Sequence, residues 1–199
     1  MVNLKNEGWI LKKLIVVRHC SATGQERDAA LTIAGEKQAH FLADFLIQNN
    51  LQIESIISSP FTRAIQSIAP FALRTNLPIG EDERLEERIL SNNPMEDWLQ
   101  KLEYTFTNID IAFLGGESTK QAMDRVASLI QDILQQEHQV TLLVTHGNLL
   151  TLILKYFDNR IGFLEWKNLS NPDIYEITID EQTTIHRLWG KTVENCYTR

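Results

Sequence analysis

Four consecutive apolar residues, Leu14-Ile15-Val16-Val17, run directly into Arg18-His19-Cys20, and that junction limits the fold more than any other stretch of the chain. A short unbroken apolar run has no polar face to give to water. It therefore fits a strand covered on both sides, the usual setting of a parallel strand between helix layers. Val140 to Val144 has the same character and leads into His146-Gly147, while Ser55-Ile56-Ile57-Ser58 reads as a third strand stopped by Ser59-Pro60. Helical spacing fills the intervals. Thr32 can cap a helix running to about Asn49, with Phe41, Leu42, Phe45 and Leu46 on one stripe. Further helices are expected from about Thr62 to Arg74, around Glu96 to Phe106, from about Ser118 to Gln136, and from Asn148 to Phe157. Tyr175 to Ile179 and Thr183 to Trp189 read as a closing pair of strands around Asp180-Glu181. This alternation predicts an α/β fold: a three-layer α/β/α sandwich about a mostly parallel central sheet.

The 199 residues fit one such domain spanning 1–199. Within it, residues 1–12 read as a polar leader, and 80–116, punctuated by Pro94 and Gly115-Gly116, as an insertion that can cover a substrate. The net charge of -7 and a pI near 5.2 argue against a nucleic-acid partner, which would want a basic face. An anionic ligand would have to be drawn by a local cationic pocket. No apolar stretch is long enough for a membrane span or a secretory signal, and two cysteines, Cys20 and Cys196, suggest no disulfide framework. The expected setting is a reducing, cytoplasmic one. Edge strands near 174–189 could pair with a second copy, and the oligomeric state stays open.

Three predicted strands end in cations. Arg18-His19 follows the first, Arg63 lies in the first turn of the helix after the second, and His146 follows the strand ending at Val144. Any one of these has an ordinary explanation: a solvated arginine, a hydrogen-bonded turn histidine, a polar strand end. In an open α/β sheet, however, ligands gather outside the carboxyl ends of the strands, so the topology delivers all four to one edge. Helix N-termini there add N–H donors that suit an anion. Such a cluster fits phosphoryl transfer: arginine forks bind phosphate oxygens in pairs, and a neutral imidazole can attack phosphorus. The leaving alkoxide then needs a proton, and the irregular segment around Arg84-Leu85-Glu86-Glu87-Arg88 carries candidate carboxylic acids.

These residues resemble the histidine phosphatase superfamily, also called the phosphoglycerate mutase-like family. Its R-H-G signature stands here as Arg18-His19-Cys20, and its L-T-x-x-G-x-x-Q-A element as Leu31-Thr32-Ile33-Ala34-Gly35-Glu36-Lys37-Gln38-Ala39. The S-x-x-x-R-A element is Ser59 to Ala64, L-x-E is Leu85-Glu86-Glu87, G-G-E-S is Gly115 to Ser118, and the late H-G pair is His146-Gly147. The resemblance spans residues 14 to about 190. It implies that His19 is the phosphorylated nucleophile and that Arg18, Arg63 and His146 form the phosphate pocket, with His146 also counted among the catalytic residues. Glu87 matches the proton donor, with Glu86 next if the register slips by one, and Thr23 matches a further phosphate contact. It implies no metal and no cofactor, and the five histidines show no metal-ligand spacing; His40, His138 and His186 read as structural or surface residues.

Some positions depart from the family. Cys20 replaces the usual glycine, Ser21 stands where Glu or Gln is common, and Gln25 where many mutases have Asn. The loop from Ser21 to Asp28 is short, and the glycolytic mutases are longer. The expected activity is therefore a metal-independent phosphomonoesterase acting on a small phosphate ester through a phosphohistidine. A phosphoglycerate mutase and a non-catalytic module that binds phosphorylated ligands are the alternatives. Cys20 is expected to be a small packing residue rather than the nucleophile, since a thiol mechanism would need its own activated thiolate.

Overall fold

The computed structural model describes residues 11–189. Six strands form one sheet: β1 (Lys12–Arg18), β2 (Ser55–Ser58), β3 (Ile79–Glu81), β4 (Val140–Thr145), β5 (Asp173–Ile179) and β6 (Thr184–Trp189). The helices are α1 (Ile33–Gln48), α2 (Thr62–Thr75), α3 (Trp98–Thr107), α4 (Thr119–Leu134), α5 (Gly147–Phe157) and α6 (Phe163–Lys167), with a single 3-10 turn at Glu83–Leu85. The strand order is β3-β2-β4-β1-β5-β6. The first four of these run parallel, with Lys13 opposite Val140 and Arg18 opposite Thr145, whereas β5 is antiparallel to β1 and β6 to β5.

The pleat sorts each apolar run into two cores. Leu14, Val16, Leu143 and Ile177 join the layer of α3, α4 and α5, while Ile15, Val17, Leu142, Val144 and Ile174 join the layer of α1 and α2. Successive side chains of a strand point to opposite faces, so a run that is apolar at every position requires cover on both. The three-layer sandwich follows directly. Helix starts are set locally: the Thr32 hydroxyl accepts from the Gly35 N–H, and Ser118 with Gln121 forms a reciprocal capping box at α4.

The structure corrects several boundaries. Lys12 belongs to β1 and not to a leader; its buried ammonium donates to the carbonyls of Gln136 and His138. The rest of the expected leader, residues 1–10, and Cys196 lie outside the described residues. β3 and α6 were not expected, because three and five residues are too few to show a period. β5 is an inner strand, so of the closing pair only β6 offers an edge. No helix among the described residues is long and apolar enough to cross a membrane.

Candidate active site

The carboxyl ends of β1, β2 and β4 carry the predicted cations to one place. The β1 ladder continues one step past the strand, where the His19 N–H donates to the Thr145 carbonyl at 2.9 Å. This sets the His19 ring beside that of His146, with centroids 5.1 Å apart. From the first turn of α2, the Arg63 Nε donates to His19 Nε2 at 3.3 Å. Arg63 is only 1% exposed, and its Nη1 donates to the carbonyls of Gln25 and Glu26, so the loop after β1 supplies the acceptors that a buried guanidinium requires. Arg18 donates to the Ser170 carbonyl and packs over Gly147, where a Cβ would approach its guanidinium to 3.1–3.3 Å.

Hydrogen bonding assigns the tautomer of His19. Its Nδ1–H donates to the Cys20 carbonyl at 2.6 Å, which leaves the lone pair on Nε2 and that lone pair facing Arg63. Burial pushes the imidazole down to about 4, against a weaker opposing pull from the Cys20 carbonyl; the nearby charges of Arg63 and Arg18 push it further down. The ring is therefore neutral at neutral pH. His146 is held well below its usual value, first by burial and then by His19 and the surrounding arginines. The Ser59 hydroxyl lies 2.8 Å from His146 Nε2 and accepts from the Phe61 N–H, and with two lone pairs and one proton it can serve either tautomer of that ring. His146 Nδ1 is buried and has no hydrogen-bond partner among the described residues. Arg18 Nε is likewise buried without one. Burial lowers both Arg18 and Arg63, and Glu87 offsets this in each case.

Glu87 reaches the same site from the segment after the 3-10 turn. Its Oε2 accepts from the Asn148 N–H and its Oε1 from those of Leu149 and Arg88. Two of these donors belong to the first turn of α5, the helix that His146 caps. Oε1 has both lone pairs engaged, while Oε2 keeps one that can carry a proton. Glu86 faces elsewhere and pairs with Arg27 at 2.6 Å. A cavity of about 310 Å³ is lined by Arg63, Glu87, Phe61, Arg27, Arg88 and Ile89, together with Gln25. A second, of about 490 Å³, shares Glu87 and Ile89 and includes Glu86.

Arg18, His19, Arg63, His146 and Glu87 thus come together. Thr23 is not brought into contact with them: it is exposed, and its hydroxyl donates to the Ala30 carbonyl across a turn. Cys20 is fully buried, and burial pushes its thiol up to about 12, which removes it as a nucleophile. Several supporting residues escaped the sequence reading. Ser67 accepts from the Cys20 N–H and donates to the Arg63 carbonyl; Asn171 donates to the His19 carbonyl; Gln38 accepts from the Ser21 N–H. Buried Asp173, paired with Arg187, lies opposite Arg18 in the β1–β5 register and its charge acts on it. Only Ser67 and Gln38 left a signal, Ser67 by standing one helical turn from Arg63 and Gln38 by its place in the L-T-x-x-G-x-x-Q-A element. Among the described residues no His, Cys, Asp and Glu side chains group as metal ligands.

The model of the histidine phosphatase superfamily, branch 1, matches residues 14–192. A protein of Hydrogenobacter thermophilus named "Putative phosphoserine phosphatase 2" is 26% identical over 160 residues, covering 72% of this chain and 77% of that one. A mycobacterial glucosyl-3-phosphoglycerate phosphatase superposes with a TM-score of 0.71 at 21% identity, over 90% of this chain and 98% of that one. A mutant phosphoserine phosphatase from Entamoeba histolytica, solved in complex with phosphoserine, gives a TM-score of 0.66 at 20% identity, over 87% of this chain and 94% of that one. These structural likenesses establish the shared fold.

Proposed function

The chain belongs to the histidine phosphatase superfamily and is a phosphatase-type hydrolase, and on that premise we propose that it hydrolyses small phosphate monoesters through a phosphohistidine at His19, without a metal. The observation that carries this reading is the His19 ring itself: Nδ1–H fixed on the Cys20 carbonyl, Nε2 unprotonated and turned to the Arg63 guanidinium. A phosphate dianion bound by Arg18, Arg63 and His146 would meet that lone pair. Nε2 attacks phosphorus, the ester P–O bond breaks, and Glu87 gives its proton to the leaving alkoxide. Water then attacks the phosphohistidine with the ionised Glu87 taking its proton, which returns His19 and releases inorganic phosphate. Fixed donors around the developing charge supply much of the rate.

The cavity of about 310 Å³ is at the small end of ligand sites, which suits a small ester rather than a phosphoprotein segment. Glu87 and Ile89 come from the 80–116 segment, which supports reading that segment as the cover of the substrate. Thr23 enters this scheme only if substrate draws its loop inward, and its hydroxyl bond to Ala30 speaks against that. The test is a rapid acid-free quench after brief exposure to a phosphate ester labelled with ³²P. Acid-labile label on His19, absent from His19→Ala, is the expected result. Undiminished turnover in His19→Ala, or turnover with no label trapped, would overturn the mechanism.

A further inference from the structure

Arg27 takes no part in the chemistry above, yet it lines the same cavity as Arg63 and Glu87. Its loop is pinned, since its carbonyl accepts from the Thr62 N–H at the start of α2 and the carbonyls of Gln25 and Glu26 hold Arg63. Its guanidinium carbon lies 5.6 Å from the centre of the Phe61 ring, and that of Arg63 lies 4.7 Å from the same centre. The two guanidinium groups are therefore at most about 10 Å apart. One small molecule can hold a phosphate on Arg63 and a second anionic group on Arg27. Side-chain exposure of Arg27 is 57%, so an incoming group can reach it, and its present partner is the Glu86 carboxylate at 2.6 Å. A guanidinium fork that already holds a carboxylate in this cavity wall has the geometry to exchange it for another.

We propose that Arg27 is the receptor for a carboxylate on the substrate, with Glu86 as the internal carboxylate that it displaces, so that the preferred esters are small phosphorylated carboxylic acids. This rests on the phosphatase reading above. The exchange costs no unpaired buried charge, because Glu86 is partly exposed and borders the neighbouring cavity of about 490 Å³, into which it can be released to water. Glu86 thereby tunes the site: it competes with the substrate for one fork.

The experiment compares pairs of esters that differ by the carboxylate: phosphoserine with phosphoethanolamine, and 3-phosphoglycerate with glycerol 3-phosphate. The wild-type protein is expected to show a higher kcat/KM for the acid of each pair. Arg27→Met should reduce that preference by about tenfold or more, the loss of one charge-assisted hydrogen-bonded pair. Glu86→Gln should move it the other way by lowering KM for the acids, which a merely structural ion pair would not do. The same comparison made by calorimetric binding to the His19→Ala protein separates this proposal from the hydrolytic mechanism. Carboxylate-dependent affinity lost in His19→Ala/Arg27→Met supports the receptor even if turnover follows another route. Equal affinities within each pair, or equal losses on both members in Arg27→Met, would overturn it.

Discussion

The imidazole of His19 donates through Nδ1 and keeps its other lone pair toward a guanidinium, so its reactivity is set by two neighbours, the Cys20 carbonyl and Arg63. The carboxylates beside it are sorted in the same local way. Glu87 is held by three backbone N–H groups and acts on both Arg18 and Arg63, whereas Glu86, one residue earlier, is tied to Arg27. Proton donation matters when the leaving group is a poor one. Glu87→Gln should accordingly lose roughly 10²–10⁴-fold in kcat/KM on alkyl phosphates and far less on p-nitrophenyl phosphate, whose phenolate leaves unaided. Glu86→Gln should keep its turnover of alkyl esters. Steady-state kinetics on both substrates checks this, and equal losses on both in Glu87→Gln would remove the acid role.

Elements matter because each contributes a backbone group where a side chain must stand still. The first turn of α2 carries Arg63, and the next turn carries Ser67, whose hydroxyl bridges the Arg63 carbonyl and the Cys20 N–H. The helix thus holds the loop that carries His19 through the Cys20 main chain. Ser67→Ala would strand a buried N–H and should cost about 1–3 kcal/mol of stability, read from urea unfolding, with a fall in kcat as His19 loses its fixed position. Cys20→Ala removes a small buried side chain and its contact with the Ser67 hydroxyl but leaves the Cys20 N–H bond to Ser67 in place, and should retain activity. A Cys20→Ala protein less active than Ser67→Ala would reverse this assignment. Gly147 shows the same logic at α5, where the helix must start against the Arg18 guanidinium and leaves little room for a Cβ.

Over the whole molecule the site imposes an acid liability. His19 is pushed to about 4 and His146 well below its usual value, chiefly by burial, against an ordinary 6.5 in the unfolded chain. Above pH 6.5 both rings are neutral in either state and their contribution to stability is fully present. As pH falls from 6.5 toward about 4, the unfolded chain binds protons that the fold refuses, so stability declines, for His19 alone by up to about 3 kcal/mol. Below about 4 His19 protonates in the fold too, and its loss is complete. Asp173, raised by burial, works in the opposite sense nearer the carboxylate range. The Tm should fall between pH 6.5 and 4, and more shallowly in a His19→Gln variant; parallel curves would show that other groups govern acid unfolding.

Period and adjacency carried much of this protein's account in the sequence alone. Leu14 to Val17 and Val140 to Val144 read as strands covered on both faces because neither run offers a polar side to water, and Thr32 and Ser118 start helices by their own hydroxyls. Because parallel strands share one carboxyl edge, the meeting of Arg18, His19, Arg63 and His146 was legible from their order along the chain. Tertiary structure decided what depends on distance between residues far apart in sequence. It set Glu87 on the first turn of α5 and Glu86 on Arg27, buried Asp173 beside Arg18, and turned Thr23 away to Ala30. A repeat in the sequence records which face a side chain takes, but the partner that a carboxylate or hydroxyl finds across the fold has no period to record it.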